Sequence, residues 1–249
     1  MAAMSYSPTE SPRQLIDQVR AAASARRSLR IIGGDTKAFY GQPVAGEPVS
    51  TSGWAGIVSH EPSELVVTVR AGTPLVELEA ALAEQGQCLP FEPPRFGPAS
   101  TIGGAVAAGL AGPARASAGG VRDYVLGVQF IDGRGEWLTF GGQVMKNVAG
   151  YDVSRVLAGS MGTLGILTDI SLKVLPLAPA EATLVFSLGQ HDALEQLHRW
   201  GGQPLPLNAS CWVKDQTQPD APELLFLRLR GAVAAVESAC ERLSREAGG

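Results

Sequence analysis

The chain has 249 residues, 45% of them hydrophobic and 18% charged, with a formal net charge of -4. That length suits one large or two modest domains. The apolar share supplies a core and excludes a disordered chain, and the acidic balance argues against nucleic acid as the main partner, because phosphate binding needs a basic face.

Cys88, Cys211 and Cys240 are isolated, with no CxxC pair. They read as reduced thiols of a cytoplasmic protein and cannot form a four-cysteine iron–sulfur site. No apolar run reaches membrane-spanning length, so no transmembrane segment is expected. The opening MAAMSYSPTESPR lacks a basic stretch followed by an apolar block, so no signal peptide is read.

In chain order, Ser11-Pro12 reads as an N-cap with proline at the first helical position, and Leu15, Ile16, Val19 and Ala22/Ala23 follow at helical spacing. Leu29–Ile32 is a short strand running into Gly33-Gly34. Pro43–Trp54 is turn-rich. Leu65–Val69 is strand-like. Thr73-Pro74 opens a second helix with Leu75, Leu78 and Leu82 inward and Gly86 closing it. The prolines of Leu89–Pro98 mark a loop. Thr101–Leu110 reads as a helix of small residues, and Ala111–Gly120 as flexible by composition. Tyr124–Ile131 and Glu136–Phe140 form a hairpin about Asp132-Gly133. Leu164–Val174 is a further strand. Leu175–Glu181 is a proline-marked linker, which divides the chain into domains 1–176 and 182–249. The second reads strand, helix, strand, strand, helix, one strand short of a ferredoxin-like unit, so it is expected to be incomplete, completed by a partner, or cut short.

Three glycine segments bear on chemistry. In Ile31–Gly41 a strand leads into Gly33-Gly34-Asp35-Thr36-Lys37, where successive main-chain N–H groups can form an anion nest beside a hydroxyl and an ammonium. The same residues equally make a tight strand-to-loop turn. In Pro98–Gly112, Ser100-Thr101 precede Gly103-Gly104 and Gly109, a surface poor in side chains that admits a ring or a diphosphate, or else a close packing seam. In the third, Gly162 and Gly165 lead into Ile166, whose backbone could pair with the edge of a heterocycle; an ordinary helix end followed by a strand fits as well.

Other residues read more plainly. Lys146-Asn147 and Gly150-Tyr151-Asp152 suggest a side-chain-stabilised turn. Arg122-Asp123 reads as an ion pair, and Trp200 and Trp212 as core or lining of the second domain. His60, His191 and His198 lack metal-ligand spacing, so no metal site is expected. Neither GxGxxG after a strand nor GxxxxGK[ST] occurs, which excludes the Rossmann and P-loop readings.

Taken in order, the three segments resemble the FAD-binding domain of the vanillyl-alcohol oxidase / p-cresol methylhydroxylase (PCMH) superfamily. More narrowly, the stretch from Gly103 through FGGQVMKNVAGYDVSR to Pro176 is similar to the FAD-binding E subunit of bacterial glycolate oxidase (glycolate dehydrogenase). The resemblance runs from about Leu29 to Pro176. It implies an α+β fold, a PCMH-type FAD-binding domain of two α/β subdomains followed by an incomplete ferredoxin-like cap. FAD would lie between the subdomains, its pyrophosphate on Gly33, Gly34, Asp35, Thr36 and Lys37. Ser100, Thr101, Gly103 and Gly104 would form a second wall, with Gly109 near the ring system and Gly165 and Ile166 making backbone contacts.

Some relatives attach the flavin through a histidine in the first loop. That loop here is GGDTKAFYG, so noncovalent FAD is implied. The partners implied are a sister FAD-containing glycolate oxidase subunit and an iron–sulfur subunit, with glycolate, a 2-hydroxy acid, as substrate; any association with the inner membrane would be peripheral, through partners. The histidine-rich C-terminal motif of related 2-hydroxy-acid dehydrogenases has no equivalent, so no catalytic base is assigned. Arg115 and Lys146 are candidates to bind a carboxylate. A noncatalytic assembly subunit and a standalone flavin reductase are the rival readings.

Overall fold

The computed structural model describes residues 12–142, 151–218 and 220–247. Ser11, the Lys146-Asn147 pair and most of the GGQVMKNVAG block lie outside them. The elements run α1 (Arg13–Ser24), β1 (Leu29–Ile32), β2 (Glu47–Ser50), β3 (Ile57–Glu61), β4 (Val66–Arg70), α2 (Leu75–Ala83), β5 (Gln87–Cys88), α3 (Ile102–Ala108), α4 (Arg115–Ala118), α5 (Val121–Tyr124), β6 (Val125–Ile131), β7 (Trp137–Gly141), α6 (Val153–Val156), β8 (Ile166–Lys173), β9 (Leu175–Pro176), β10 (Ala180–Ser187), α7 (Gln190–Gly201), β11 (Leu207–Val213), β12 (Leu224–Gly231) and α8 (Val233–Glu246). The fold is mixed α+β. Among the described residues, no helix is long and apolar enough to cross a membrane.

Two compact units result. The first takes the described residues up to Ala111 together with Gly120–Pro176; the second takes Gly112–Gly119 and the described residues from Leu177 onward. In the first, an antiparallel sheet of order β3-β4-β8-β6-β7 is the frame. Val67, Val69, Val128, Leu167, Ile170 and Leu172 pack against Leu75, Leu78 and Leu82 of α2 and Ile102, Ala105 and Val106 of α3. Strand alternation and the helical spacing of the leucines therefore meet at one core. A smaller cluster joins Leu15 and Val19 of α1 and Val49 of β2 to Ile131 and Ile166, with Ile31, Trp54 and Trp137 against it. There β1 and β2 run parallel, Ile32 opposite Ser50.

In the second unit, sheet β10-β12-β11 buries Leu225, Leu227 and Leu229 against Trp200 of α7 and Val236, Ala239 and Leu243 of α8. Trp200 is fully buried and its indole N–H donates to Glu246 Oε2 at 2.9 Å. Trp212 donates to the Leu188 carbonyl at 3.0 Å.

Several expectations change. The helix begins at Arg13 with Pro12 itself at the N-cap. The stretch 111–120 is not irregular throughout: it carries α4, tied to β11 by Ser117 Oγ donating to the Asn208 carbonyl. The 175–181 linker is partly strand, since β9 pairs with β5 and β10 starts at Ala180. Arg122 and Asp123 turn to backbone partners, Arg122 donating to the Ala158 carbonyl (3.3 Å) and Asp123 accepting from the Gly120 N–H (2.8 Å).

Candidate functional site

The three glycine segments meet in the first unit around a groove of about 550 Å³, within the range of roughly 300–1,000 Å³ usual for small-molecule sites. Its walls are the loop after β1 (Gly33, Gly34, Asp35, Thr36, Lys37), the start of α3 (Thr101, Gly103, Gly104) and the run before β8 (Met161, Gly162, Gly165), with Thr51, Ala71 and Leu167 between them. The first two walls touch backbone to backbone. A Cβ built on Gly34 falls 1.6 Å from the Ala99 carbonyl oxygen, so only glycine fits there. The third wall is laid on α3, Gly159 N–H donating to the Val106 carbonyl (3.0 Å) and Met161 N–H to that of Ala107 (2.9 Å).

The two glycine walls differ in what their amides do. The β1–β2 ladder ends at Ile32. Beyond it, among the described residues, no protein acceptor takes the backbone N–H groups of Gly33 through Ala38. Asp35, at φ 52° in a turn that leaves these donors unspent, gives the left-handed step of a nest. At α3, by contrast, Ile102 N–H donates to the Thr73 carbonyl (3.0 Å), Gly103 N–H to the Ala71 carbonyl (2.8 Å), and Gly104 N–H to the N-cap hydroxyl of Thr101 (3.2 Å). The second wall is close-packed surface with its donors already used.

Charge follows the same division. Lys37 Nζ donates to Ser100 Oγ at 2.7 Å, and Thr36 Oγ1 lies 3.0 Å from the same oxygen. Ser100 is buried, and its carbonyl is held by Leu75 N–H at 2.8 Å, so it fixes where Lys37 points. Burial pushes the Lys37 ammonium below the ordinary lysine pKa. Among the described residues no carboxylate pairs with it. Asp35 leans to Arg30 instead, at 3.6 Å, an exposed pair of little energetic weight that keeps its negative charge company. The groove therefore presents one uncompensated cation beside open amides, a donor set suited to an anion.

Three expected residues do not line the groove. Ser100 stands behind it as the anchor just described. Gly109 closes α3 in the left-handed region (φ 67°) with its Cα edge on Gly159, a packing role. Ile166 is buried in the cluster with Leu15 and Val49. Arg115 lies on α4 in the second unit, and Lys146 lies outside the described residues. Thr51, Ala71 and Met161 are lining residues that sequence reasoning missed; β2 and the Ala71–Thr168 backbone bond (2.7 Å) bring two of them in, and neither leaves a local pattern. His60 Nε2 sits 2.8 Å from Gln87 Oε1, away from the groove. Among the described residues no group of three His, Cys, Asp or Glu side chains could hold a metal.

Comparison with known proteins agrees with this geometry. A family model described as an FAD binding domain matches residues 8–141. The chain is 47% identical over 232 residues to glycolate oxidase subunit GlcE of Escherichia coli, covering 93% of this chain and 64% of that protein, so it spans somewhat under two thirds of the relative's length. It is 33% identical over 140 residues to glycolate oxidase subunit GlcD of Bacillus subtilis (56% of this chain, 30% of that one). To D-2-hydroxyglutarate dehydrogenase of Xanthomonas citri pv. viticola it is 34% identical over 131 residues (53% and 28%). Among solved structures, alkyldihydroxyacetonephosphate synthase superposes with a TM-score of 0.73 at 22% identity, over 94% of this chain and 52% of that one, which speaks to the fold alone. With the family match covering more than half of its length, the chain belongs to the FAD binding domain family.

Proposed function

We propose that this chain holds FAD noncovalently in the groove and serves as a flavin subunit of a glycolate-oxidising complex. The observation that carries the reading is the 47% identity with a glycolate oxidase subunit across 93% of the chain, on a fold whose groove fits the cofactor. The fit rests on the open amides of Gly33–Ala38, the Gly34 approach and the uncompensated Lys37. Those groups would hold the pyrophosphate, with Thr101, Gly103 and Gly104 as the opposite wall and the backbone at Gly165 toward a ring edge. The first-loop position that would carry a covalent link has no histidine.

Bound flavin supplies a two-electron acceptor. Glycolate gives up two electrons and two protons to become glyoxylate, and the electrons leave to an iron–sulfur partner. The chain's own part is to fix the cofactor: Ser100 aims Lys37, and Lys37 with the loop amides offsets the diphosphate charge. The test is to purify the chain with its neighbouring subunits, record the flavin absorbance, and add glycolate. Bleaching with stoichiometric glyoxylate is expected. Because a sister subunit would carry flavin of its own, the chain is also purified alone, and a chain that is colourless and takes up no added FAD would refute the reading.

One observation favours a second reading, a noncatalytic assembly subunit. Among the described residues, the charged ones lining the groove are Arg30, Asp35 and Lys37, and no histidine lines it. Glycolate turnover that persists in a complex whose copy of this chain is flavin-free would support the scaffold.

A further inference from the structure

We propose that Arg70 and Asp169, neither of which lines the groove, are positioning residues that set how tightly it holds the flavin. This rests on the FAD reading above. The two face each other across neighbouring strands, Arg70 on β4 opposite Asp169 on β8. Each is one or two residues from a groove-lining residue, Ala71 and Leu167. Arg70 lies over the Trp54 ring, its guanidinium carbon 4.3 Å from the centroid.

From Trp54 the connection to the anion loop is continuous. Trp54 N–H donates to the Thr51 carbonyl (2.9 Å), and the Trp54 carbonyl accepts from Gly72 N–H (2.8 Å). A Cβ on Gly72 would lie 2.1 Å from the Thr51 oxygen, so this turn is in hard contact with the strand end of β4. Thr51 N–H and Oγ1 in turn hold the Ile32 carbonyl, at 2.8 and 3.3 Å, immediately before Gly33. A shift of the guanidinium thus moves the Trp54 ring, the Thr51–Trp54 turn and the entry to the nest.

The pair is costly to keep. Asp169 is 7% exposed. Among the described residues, neither of its oxygens is in hydrogen-bond geometry with a donor, although Thr168 and Trp54 lie close enough to favour the anion. Burial dominates and pushes its carboxyl above the usual range, with the Arg70 charge the largest offset. A buried carboxylate beside an opposite charge is weak evidence of stability, and fixing an arrangement is the role assigned to it here.

The test separates stability from position. In Arg70→Met/Asp169→Leu the pair becomes apolar at similar volume. Flavin affinity, read by quenching of FAD fluorescence, is expected to fall at least tenfold, while the melting temperature of the flavin-free protein stays level or rises. Asp169→Asn is expected to weaken FAD at least fivefold, and Asp169→Glu, which keeps the charge, to stay within about threefold of wild type. Wild-type affinity in the double variant or in Asp169→Asn overturns the proposal; so does an equal loss in the Asn and Glu variants. A wild-type chain that binds no FAD removes the flavin reading itself, and this inference with it.

Discussion

Substituting Gly34 by alanine adds one methyl group at the tightest point of the groove. The new Cβ would sit 1.6 Å from the Ala99 oxygen and 2.4 Å from its carbonyl carbon, so one backbone must retreat by about 2 Å to regain ordinary contact. The Ala99 side is anchored: Leu75 N–H holds the Ser100 carbonyl at 2.8 Å, and Ile102 N–H holds Thr73 at 3.0 Å. Among the described residues, the backbone N–H groups of Gly33–Ala38 have no such partners, and the loop meets the Ala99 side through the Thr36 and Lys37 side chains at Ser100. It is the loop that moves, and with it the open amides. Misplacement by about 1 Å at a positioned group costs on the order of a hundredfold, and overpacking costs about 1–3 kcal/mol. FAD titrated by fluorescence quenching should therefore show a Kd about a hundredfold higher in Gly34→Ala. The flavin-free melting temperature should drop by about 2–12 °C, the shift about 1–3 kcal/mol makes in a domain of this size. Gly133→Ala, in the turn between β6 and β7 where a Cβ has nothing within 4 Å, is the control and should match wild type. A folded Gly34→Ala protein with unaltered FAD affinity would end the argument that this loop carries the cofactor.

Lys37→Met should weaken FAD about tenfold, the share of a half-exposed charge-assisted contact, and should flatten the salt dependence of binding. Because burial lowers the Lys37 pKa, wild-type affinity should hold steady while the ammonium is protonated and decline as pH rises through that lowered value, earlier than an ordinary lysine would give; Lys37→Arg should abolish the decline, and an unchanged profile would place the charge elsewhere. Thr101→Ala removes the N-cap bond to Gly104 N–H and should cost about 1 kcal/mol in urea unfolding, with FAD affinity falling only modestly, since the amide it frees faces a wall whose other donors are used.

Much of the frame is legible in the sequence because its elements obey local rules. The leucines of α2 recur at helical spacing and all three are fully buried, and β8 carries β-branched Ile166, Thr168 and Ile170 at every second position of a strand buried from Ile166 to Leu172. The strands β2 and β3 were not legible. EPVS buries one residue of four, behind a proline, and IVSHE buries none fully; such short strands form because a neighbour's edge is already in place. The site divides the same way. A strand running into Gly-Gly-Asp-Thr-Lys announces itself, whereas Thr51 and Ala71 reach the groove through parallel pairing and a cross-strand bond that no window of sequence contains.

The glycine-rich segments at Gly33 and Gly103 look alike as strings, yet their glycines answer to different demands. Every buried backbone donor must be satisfied somewhere, so the question for each segment is where its N–H groups go. Around Gly103 they go to Thr73, Ala71 and Thr101, and the glycine serves to let α3 lie on Ala71, whose Cβ would be 2.6 Å from a Cβ built at Gly103. Around Gly34 the glycine brings the loop onto Ala99 while leaving the amides of the next residues uncommitted. Donors left open in a half-exposed loop, beside a lysine that among the described residues pairs with no carboxylate, are available to an anion with two phosphates. On the proposed reading the first loop therefore supplies affinity and the start of α3 supplies shape, which is why Gly34→Ala and Lys37→Met should act on the Kd while Thr101→Ala acts mainly on the fold.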